Sequence, residues 1–337
     1  MDIHFFFLCY ILKKGREMDQ YSTNQDVKQA RQIIDQIIHE VSKVIIGKSE
    51  VIRMALATML ASGHVLFDDI PGVGKTTLVR AMATALGLDF KRIQFTPDLM
   101  PADILGTSVF DQGNQKFVFH RGPIFTDIVL ADEINRATPR TQSALLEAMS
   151  DLSVTVDNQR FDLDSDFWVL GTQNPLSFEG TYPLPEAQLD RFLMCLRIGY
   201  PEFNDEINLM YQPNRSNKMA QIHQVVDRKE IRYLKQLVSE VHLAKNVASY
   251  ILNLVTATRN DPAIKLGISP RGTMALVQVA KAYAVTVGED YVSPELVQQV
   301  LIPVFCHRLV LSDAEVSSLQ PEVILEDLVS QVAVPVR

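Results

Sequence analysis

A glycine-rich segment, residues 68–77 (DDIPGVGKTT), has the composition of a phosphate-binding loop. Glycine lets backbone N–H groups turn toward an anion, and the start of a following helix adds about half a positive charge. Lys75 would reach the β- and γ-phosphates of a nucleotide, and the Thr76 hydroxyl would take a place on Mg²⁺. A plain strand-to-helix turn is the alternative, and Asp69 stands where the general pattern has glycine. The predicted nucleotide contacts are Pro71, Gly72, Val73, Gly74, Lys75, Thr76 and Thr77.

Two adjacent carboxylates, Asp132 and Glu133, directly follow the apolar run at residues 128–131. Side chains at the carboxyl end of a parallel strand lie beside such a loop, so Asp132 can hold the hydration shell of Mg²⁺. Glu133 can then act as the general base that polarises the attacking water. Carboxylates at strand ends are often merely solvated, but the phosphate loop earlier in the chain favours the catalytic interpretation.

Three further polar side chains are candidates for contact with a transferring phosphoryl group. Asn174 ends the run at residues 167–174 (FWVLGTQN) and could bond the γ-phosphate or orient the water, or simply form a turn before Pro175. Arg191 and Arg271 could stabilise negative charge on the phosphoryl group, or form surface ion pairs. Their spacing does not indicate which of them acts within its own subunit. The predicted catalytic residues are Lys75, Glu133, Asn174, Arg191 and Arg271.

Short apolar runs that alternate with helical patterns position these residues. Strands are predicted at 65–67, 92–95, 128–131 and 167–171, and helices at 75–86 and 139–149. This alternation predicts an α/β fold with a parallel sheet flanked by helices on both faces. Segments 109–119 and 154–161 place turn-forming residues between β-favouring residues and predict two hairpins. Beyond residue 200, helical patterns dominate and predict a second domain.

The composition is that of an ordinary folded protein. The chain has 337 residues, with 47% hydrophobic and 21% charged, and its length indicates two domains. The net charge of −8 would repel phosphate backbones and disfavours nucleic-acid binding. Cys9, Cys195 and Cys306 lie far apart in the sequence, which predicts no disulfide framework and fits a reducing compartment. The histidines form no pair at helical ligand spacing, so no transition metal is predicted.

Residues 1–17 lie outside the predicted fold. Their apolar run is too short to cross a bilayer, and its positive charges follow it, which is the reverse of a signal peptide. We interpret the segment as a disordered extension or an early assigned start, with Met18 the natural start. An interfacial anchor is the alternative, and no stable membrane insertion is expected. The expected domains are the extension 1–17, a nucleotide-binding domain 18–200 and a helical domain 201–337.

Taken together, these residues resemble the AAA+ superfamily and, within it, the MoxR family. The resemblance rests on residues 44–47 (VIIG), 71–76 (PGVGKT), 131–136 (ADEINR), 141–149 (TQSALLEAM), 172–175 (TQNP), 182–192 (YPLPEAQLDRF) and 269–271 (SPR). It spans roughly residues 24–337. The strings DEINR and PEAQLDRF are specific enough to indicate the family rather than the fold alone.

The resemblance implies an AAA+ core with β-hairpin inserts and a smaller C-terminal helical lid domain. It assigns Walker A to Lys75 and Thr76, Walker B to Asp132 and Glu133, and sensor 1 to Asn174.

The same resemblance makes Arg191 the finger that acts on a neighbouring subunit's ATP, and Arg271 sensor 2 in the lid. Ile45, Ile46 and Gly47 would line the adenine pocket. The two hairpins would correspond to inserts that such ATPases project toward a central pore.

The function implied by the resemblance is that of a cytoplasmic ATPase that uses ATP and Mg²⁺. Members of the family form hexameric rings and act as chaperones or maturation factors, often for protein clients with a von Willebrand A domain or for metal-dependent enzymes. A DNA-remodelling or chelatase-like motor subunit is one alternative, although the acidic balance argues against a DNA motor. A nucleotide-gated scaffold is another, against which Glu133, Asn174 and Arg191 argue. The sequence does not identify the client.

Overall fold

Five parallel strands form the central sheet of the protein. A computed structural model describes residues 24–174, 180–211, 219–312 and 320–335, so the predicted extension over 1–17 lies outside the described residues. In chain order the strands are β1 His64–Asp68, β2 Phe90–Gln94, β3 Gly106–Asp111, β4 Lys116–Arg121, β5 Ile128–Asp132, β6 Ser153–Val156, β7 Gln159–Asp162, β8 Trp168–Gln173, β9 Phe192–Leu196, β10 Ile264–Leu266 and β11 Val310–Leu311. The order across the central sheet is β2-β5-β8-β1-β9.

Helices cover both faces of this sheet and continue past it. They are α1 Asn24–Ser42, α2 Ser49–Leu60, α3 Lys75–Leu86, α4 Pro101–Leu105, α5 Pro139–Asp151, α6 Glu186–Leu189, α7 Phe203–Met210, α8 Arg228–Glu240, α9 Lys245–Asn260, α10 Pro270–Val287, α11 Pro294–Phe305 and α12 Pro321–Gln331. The predicted parallel sheet, hairpins and C-terminal helices are therefore confirmed. No helix in these ranges is long and apolar enough to span a membrane.

The central strands are buried because apolar side chains point to both faces of the sheet. Every residue of β5 is buried, as expected for a parallel strand covered by helices on both sides. β8 lies between β5 and β1, so the carboxyl ends of these three strands meet at one edge. On the other side of β1, β9 pairs His64 with Phe192. The residues predicted to bind the nucleotide lie at this edge.

The first hairpin, β3–β4, carries apolar side chains that are not buried. Val109, Phe110, Phe117 and Val118 are all exposed, with Phe117 at 73%. The Phe110 and Phe117 rings meet edge to face, with centroids 5.3 Å apart. At the base of this hairpin, Phe119 stacks at 4.2 Å on Phe161 of the second hairpin, β6–β7. The two hairpins are thus joined at the base, and the tip of the first is an apolar surface.

The C-terminal helices begin at well-defined caps and pack on the start of the chain. The Ser269 hydroxyl accepts from the Gly272 N–H at 3.1 Å, and Pro270 opens α10 with a proline at its first position. α10 packs against both α1 and α2. Buried residues of these three helices, among them Ile34, Ile52 and Leu276, belong to one continuous core. The C-terminal helices therefore share a hydrophobic core with the first two helices.

Candidate active site

The phosphate loop turns sharply between β1 and α3 through two glycines. Gly72 and Gly74 have φ values of +88° and +94°, a backbone region that side chains rarely adopt. A Cβ atom added at Gly72 would meet no other atom within 4 Å, so the space in front of it is open. Gly74 is the N-cap of α3, and the helix N-terminus therefore faces this space. The cradle fits phosphate groups.

Lys75 lies inside the loop, among carboxylates. Its Nζ donates to the backbone carbonyls of Asp69 at 2.5 Å and Ile70 at 3.3 Å. Burial lowers the pKa of Lys75, while Asp69, Asp132 and other nearby carboxylates oppose that change. The ammonium group is thus held at the carboxyl edge of the sheet, beside the strand that ends in Asp132.

Asp69, the departure from the general loop pattern, anchors the loop. Its Oδ1 accepts from the Ile70 N–H at 2.8 Å, and its Oδ2 accepts from the N–H groups of Ile198 at 2.6 Å and Gly199 at 2.7 Å. The side chain is buried, and hydrogen bonds to charged acceptors are the stronger ones. Glycine at this position could not make these bonds. The aspartate therefore ties the phosphate loop to the segment that follows β9.

A relay of hydrogen bonds fixes the two predicted carboxylates. The Thr172 hydroxyl on β8 donates to Asp132 Oδ1 at 2.6 Å and accepts from the Glu133 N–H at 2.9 Å. Arg92 on β2 donates to Asp132 Oδ2 through Nε at 3.0 Å and through a terminal nitrogen at 2.6 Å. Neighbouring strands on both sides thus orient Asp132. Its position beside Lys75 fits a group that holds hydrated Mg²⁺, with Thr76 as the second predicted ligand.

Glu133 is held in an unusual backbone conformation. Its φ of +56° lies in the left-handed region, which is rare for a residue with a side chain and clusters at functional sites. Its Oε2 accepts from Gln94 Nε2 at 3.0 Å and from an Arg136 nitrogen at 2.7 Å. The strained turn and the two donors direct the carboxylate along the carboxyl edge. The position fits the predicted general base, and the catalytic role of Glu133 stays a prediction.

Asn174 comes directly after β8, on the same edge as Asp132 and Glu133. Asn135 donates from Nδ2 to the Asn174 backbone carbonyl at 3.4 Å, which links the ends of the two strands. The position therefore fits the predicted contact with a γ-phosphate or a water. The role of the side chain stays a prediction.

A cavity of about 390 Å³ lies beside the phosphate loop. Its loop side consists of Pro71, Gly72 and Val73, all of them predicted contacts. The other lining residues are Tyr200 and Pro201, which precede α7, and Glu206 and Met210, which lie within it; none of them was predicted. Apolar side chains next to a phosphate cradle suit a nucleoside.

Of the predicted adenine residues, Ile45 lies nearest the loop, since a Cβ atom added at Gly74 would lie 3.7 Å from its Cδ1. Gly47 turns the chain beside it with a φ of +74° and lies against Asp205 of α7. Ile46, between them, is partly buried. Their contact with adenine stays a prediction.

Arg191 and Arg271 lie at the opposite edge of the sheet. Arg191 directly precedes Phe192, which pairs with His64 at the start of β1, whereas the phosphate loop follows the end of β1. A strand of this length separates the two edges by about 13 Å. Both arginines line one cavity of about 300 Å³, and Arg271 Nε lies 3.7 Å from Asp190. Arg191 also donates to the Leu146 carbonyl and, at 2.7 Å, to Ser150. Neither arginine therefore joins this chain's own phosphate loop.

His64, which borders the same cavity, is buried in one neutral form. Its Nδ1 accepts from the Val169 N–H at 3.0 Å, so its Nε2 carries the proton that bonds the Met149 carbonyl at 3.1 Å. Burial lowers the pKa of His64 to about 4, from 6.5 for a free histidine. Between these values the unfolded chain binds the proton and the folded chain does not.

Stability is therefore expected to fall as the pH drops below 6.5 toward 4 because of His64. The contribution is complete above pH 6.5 and amounts to about 3 kcal/mol at most. The measurement is urea unfolding at a series of pH values, for the natural chain and for His64→Gln, which does not titrate. The variant should lose less stability across this interval; equal losses would contradict the assignment.

Several residues of the carboxyl edge were not among the residues predicted from the sequence. Gln94 lies at the end of β2, as Asp132 lies at the end of β5, so the rule that selected Asp132 would also have selected Gln94. Arg136 lies one turn after Glu133. It belongs to the string DEINR that carries the family resemblance, but no role was predicted for it. Arg92 and Thr172 act across strands, and only the strand order reveals them.

Two family descriptions match this chain. The ATPase family associated with various cellular activities (AAA) matches residues 64–194, and the AAA lid domain matches residues 256–328. The first range contains four strands of the central sheet, the start of β9 and both hairpins. The second contains α10 and α11.

Three similar proteins extend the match over most of the chain. YeaC of Bacillus subtilis is 44% identical over 306 residues, which cover 90% of this chain and 96% of that protein. The chaperone MoxR1 of Mycobacterium tuberculosis is 37% identical, with 90% and 82% covered. A crystal structure of a candidate ATPase from Cytophaga hutchinsonii has a TM-score of 0.85 at 35% identity, with 93% and 98% covered.

Proposed function

Because this chain belongs to the MoxR family of AAA+ ATPases, we propose that it hydrolyses ATP to remodel or mature protein clients. The observation that carries this proposal is the convergence of Lys75, Asp132 and Glu133 at one edge of the sheet, beside an open phosphate cradle. The chaperone name of the Mycobacterium tuberculosis relative supports the client-directed part.

ATP would lie with its phosphates in the loop at 71–77 and its base toward Ile45 and Tyr200. Thr76 and Asp132 would hold Mg²⁺, which neutralises charge on the phosphates when bound. Lys75 would exchange its bonds to the loop carbonyls for bonds to phosphate oxygens.

Glu133 would accept a proton from water while the water oxygen bonds the γ-phosphorus and the bond to the ADP oxygen breaks. Thr172 keeps the Glu133 backbone in place throughout, because its hydroxyl also holds Asp132. The Glu133 carboxylate would exchange its hydrogen bonds from Gln94 and Arg136 for one from the attacking water. Asn174 would orient that water with an uncharged amide.

We further propose that Arg191 and Arg271 act on the ATP of a neighbouring subunit in a ring. Their distance from this chain's own phosphate loop supports this arrangement, and so does their shared position on one cavity. Head-to-tail contact between copies would bring this edge of one subunit to the carboxyl edge of the next. A hexameric ring in the cytoplasm is the arrangement that the family membership favours. The client would be a protein with a von Willebrand A domain or a metal-dependent enzyme.

The exposed tip of the first hairpin is the surface that we propose to contact the client. Phe117→Ser removes the most exposed ring of that tip and leaves the carboxyl edge intact. In the natural chain, casein, an unfolded model polypeptide, should raise ATP turnover. In the variant, basal turnover should be unchanged and this stimulation should be largely lost, since apolar contact drives such binding. The measurement is phosphate release with and without casein.

Leu252→Ser is the matched control, because Leu252 is also an exposed apolar residue but lies on α9. It should keep the stimulation. Equal stimulation in all three proteins would exclude the hairpin as the client surface, whereas absent basal turnover in the natural chain would exclude the ATPase itself.

A further inference from the structure

Two cysteines from distant parts of the chain lie together where the sheet meets the C-terminal helices. Cys195 is on β9, and Cys306 begins the one-turn helix Cys306–Arg308 that follows α11. Their sulfur atoms lie within 4.8 Å of each other and of a ring nitrogen of His307. Both residues are half-buried, and neither forms a disulfide. The sequence predicts no disulfide framework, and the wide spacing of these cysteines along the chain gives no sign of this contact.

The turn that carries Cys306 is docked firmly on the sheet. Arg308 is buried, and its Nε donates to Asp190 Oδ1 at 2.6 Å. Its terminal nitrogens donate to the carbonyls of Phe192 at 2.7 Å and Leu193 at 3.1 Å. Because these bonds hold the turn against the start of β9, Cys306 is kept opposite Cys195. Little freedom remains to be lost when the two sulfur atoms bond.

A hydrogen bond between the two thiols distinguishes them. A hydrogen bond from Cys195 lowers the pKa of Cys306 and correspondingly raises the pKa of Cys195. Arg197 favours the thiolate form of both, against Asp68 near Cys195 and Glu322 near Cys306. Cys306 is therefore the better nucleophile, with Cys195 as its neighbouring thiol.

A soft metal ion is the competing occupant of this cluster, and the surroundings disfavour it. An Arg308 nitrogen lies 2.8 Å from Nε2 of His307, and Arg197 is a second positive charge beside the thiols. The cluster has three donors, one fewer than a closed structural zinc site. Glu322 lies 2.9 Å from Arg197 and offsets its charge, so the missing fourth ligand is what disfavours zinc at this cluster.

We propose that Cys195 and Cys306 form a reversible disulfide that links the nucleotide-binding sheet covalently to the lid. With a hydroperoxide as oxidant, the Cys306 sulfur takes one peroxide oxygen, the O–O bond breaks, and Cys306 becomes a sulfenic acid. The Cys195 sulfur then bonds the Cys306 sulfur and expels water. With hydrogen peroxide, two thiols and one peroxide give one disulfide and two waters, and a dithiol reductant reverses the bond.

This disulfide is a proposal separate from the ATPase function. Its formation can be detected in a chain that hydrolyses no ATP. Once formed, it would prevent β9 and the lid turn from separating. We expect the thermal unfolding temperature to rise, since a cross-link between distant positions restricts the unfolded chain. We also expect ATP turnover to fall, because the disulfide, unlike the Arg308 hydrogen bonds, could not open to let the lid move relative to the sheet.

The test is oxidation of the full chain with hydrogen peroxide, followed by peptide mass mapping and return to dithiothreitol. Cys306→Ser and Cys195→Ser should lose the cross-linked peptide and the rise in unfolding temperature. Cys9→Ser is the matched control and should keep both. Turnover should fall several-fold on oxidation in the natural chain and recover with dithiothreitol.

Two results would overturn the proposal. One is the absence of a 195–306 cross-linked peptide after peroxide has fully oxidised a small free thiol in the same tube. The other is stoichiometric Zn²⁺ in the purified chain that protects both thiols and is lost in His307→Ala, which would make the cluster a metal site. A chain that forms the cross-link but shows no turnover in any state would contradict the ATPase proposal alone.

Discussion

Glu133→Gln is expected to lower ATP turnover by on the order of 10²- to 10⁴-fold while ATP binding is retained. The amide cannot accept the proton of the attacking water, but its oxygen can still accept the Gln94 hydrogen bond, so the loop remains in place. Loss of the Glu133–Arg136 ion pair should lower the stability of the fold only slightly, since that pair is exposed. The measurements are the rate of phosphate release from ATP and the affinity for ATP by calorimetry.

Glu147→Gln provides the control for this change, because Glu147 is an exposed glutamate on the adjacent helix α5. It should bind and hydrolyse ATP like the natural chain. Unchanged turnover in Glu133→Gln would remove Glu133 from the mechanism. Tight ATP binding with background hydrolysis in the natural chain would instead favour a nucleotide-gated scaffold.

Arg191→Ala is expected to lower turnover by roughly 10³-fold or more, the effect typical of an arginine that stabilises charge on the transferred phosphoryl group. Mixing Arg191→Ala subunits with Glu133→Gln subunits should restore part of the lost turnover. An Arg191→Ala subunit keeps its own Glu133, and a Glu133→Gln neighbour supplies the missing arginine. In a randomly mixed ring about a quarter of the interfaces would be complete, so comparable recovery of turnover is expected.

The mixing experiment needs a control for a general loss of surface charge. Arg31→Ala serves, since Arg31 is an exposed arginine on α1 that pairs with Asp35. Its turnover should equal that of the natural chain. No recovery in the mixture of Arg191→Ala and Glu133→Gln would mean that Arg191 does not act between subunits.

The α/β class, the parallel sheet and both hairpins could be predicted from sequence because local patterns specify them. Buried strands such as β5 read as continuous apolar runs, and the hairpins have turn-forming residues between β-favouring ones. Lys75, Asp132 and Glu133 follow from the same logic, since a strand end places its next side chains at the carboxyl edge. These three positions can be predicted without knowing the order of the strands in the sheet.

The remaining contacts depend on strand order and on packing between distant segments. Thr172 reaches Asp132 only because β8 lies next to β5, and no local pattern states that neighbour. The placement of Arg271 beside Asp190 likewise requires the docking of the C-terminal helices, which Arg308 secures. The contact of Cys195 with Cys306 arises from the same docking. The local patterns of one sequence do not indicate which distant residues will be in contact.

Asp69 has a mechanical consequence. Its carboxylate holds the first residues of the phosphate loop and the backbone at Ile198 and Gly199, so the two segments are joined by short, charge-assisted bonds. Tyr200 and Pro201, which follow directly in the chain, line the cavity beside the phosphate loop. We therefore expect that a displacement of the loop on nucleotide binding would move Tyr200 and Pro201 with it. The residue that departs from the common loop pattern would thus couple two parts of the cavity lining.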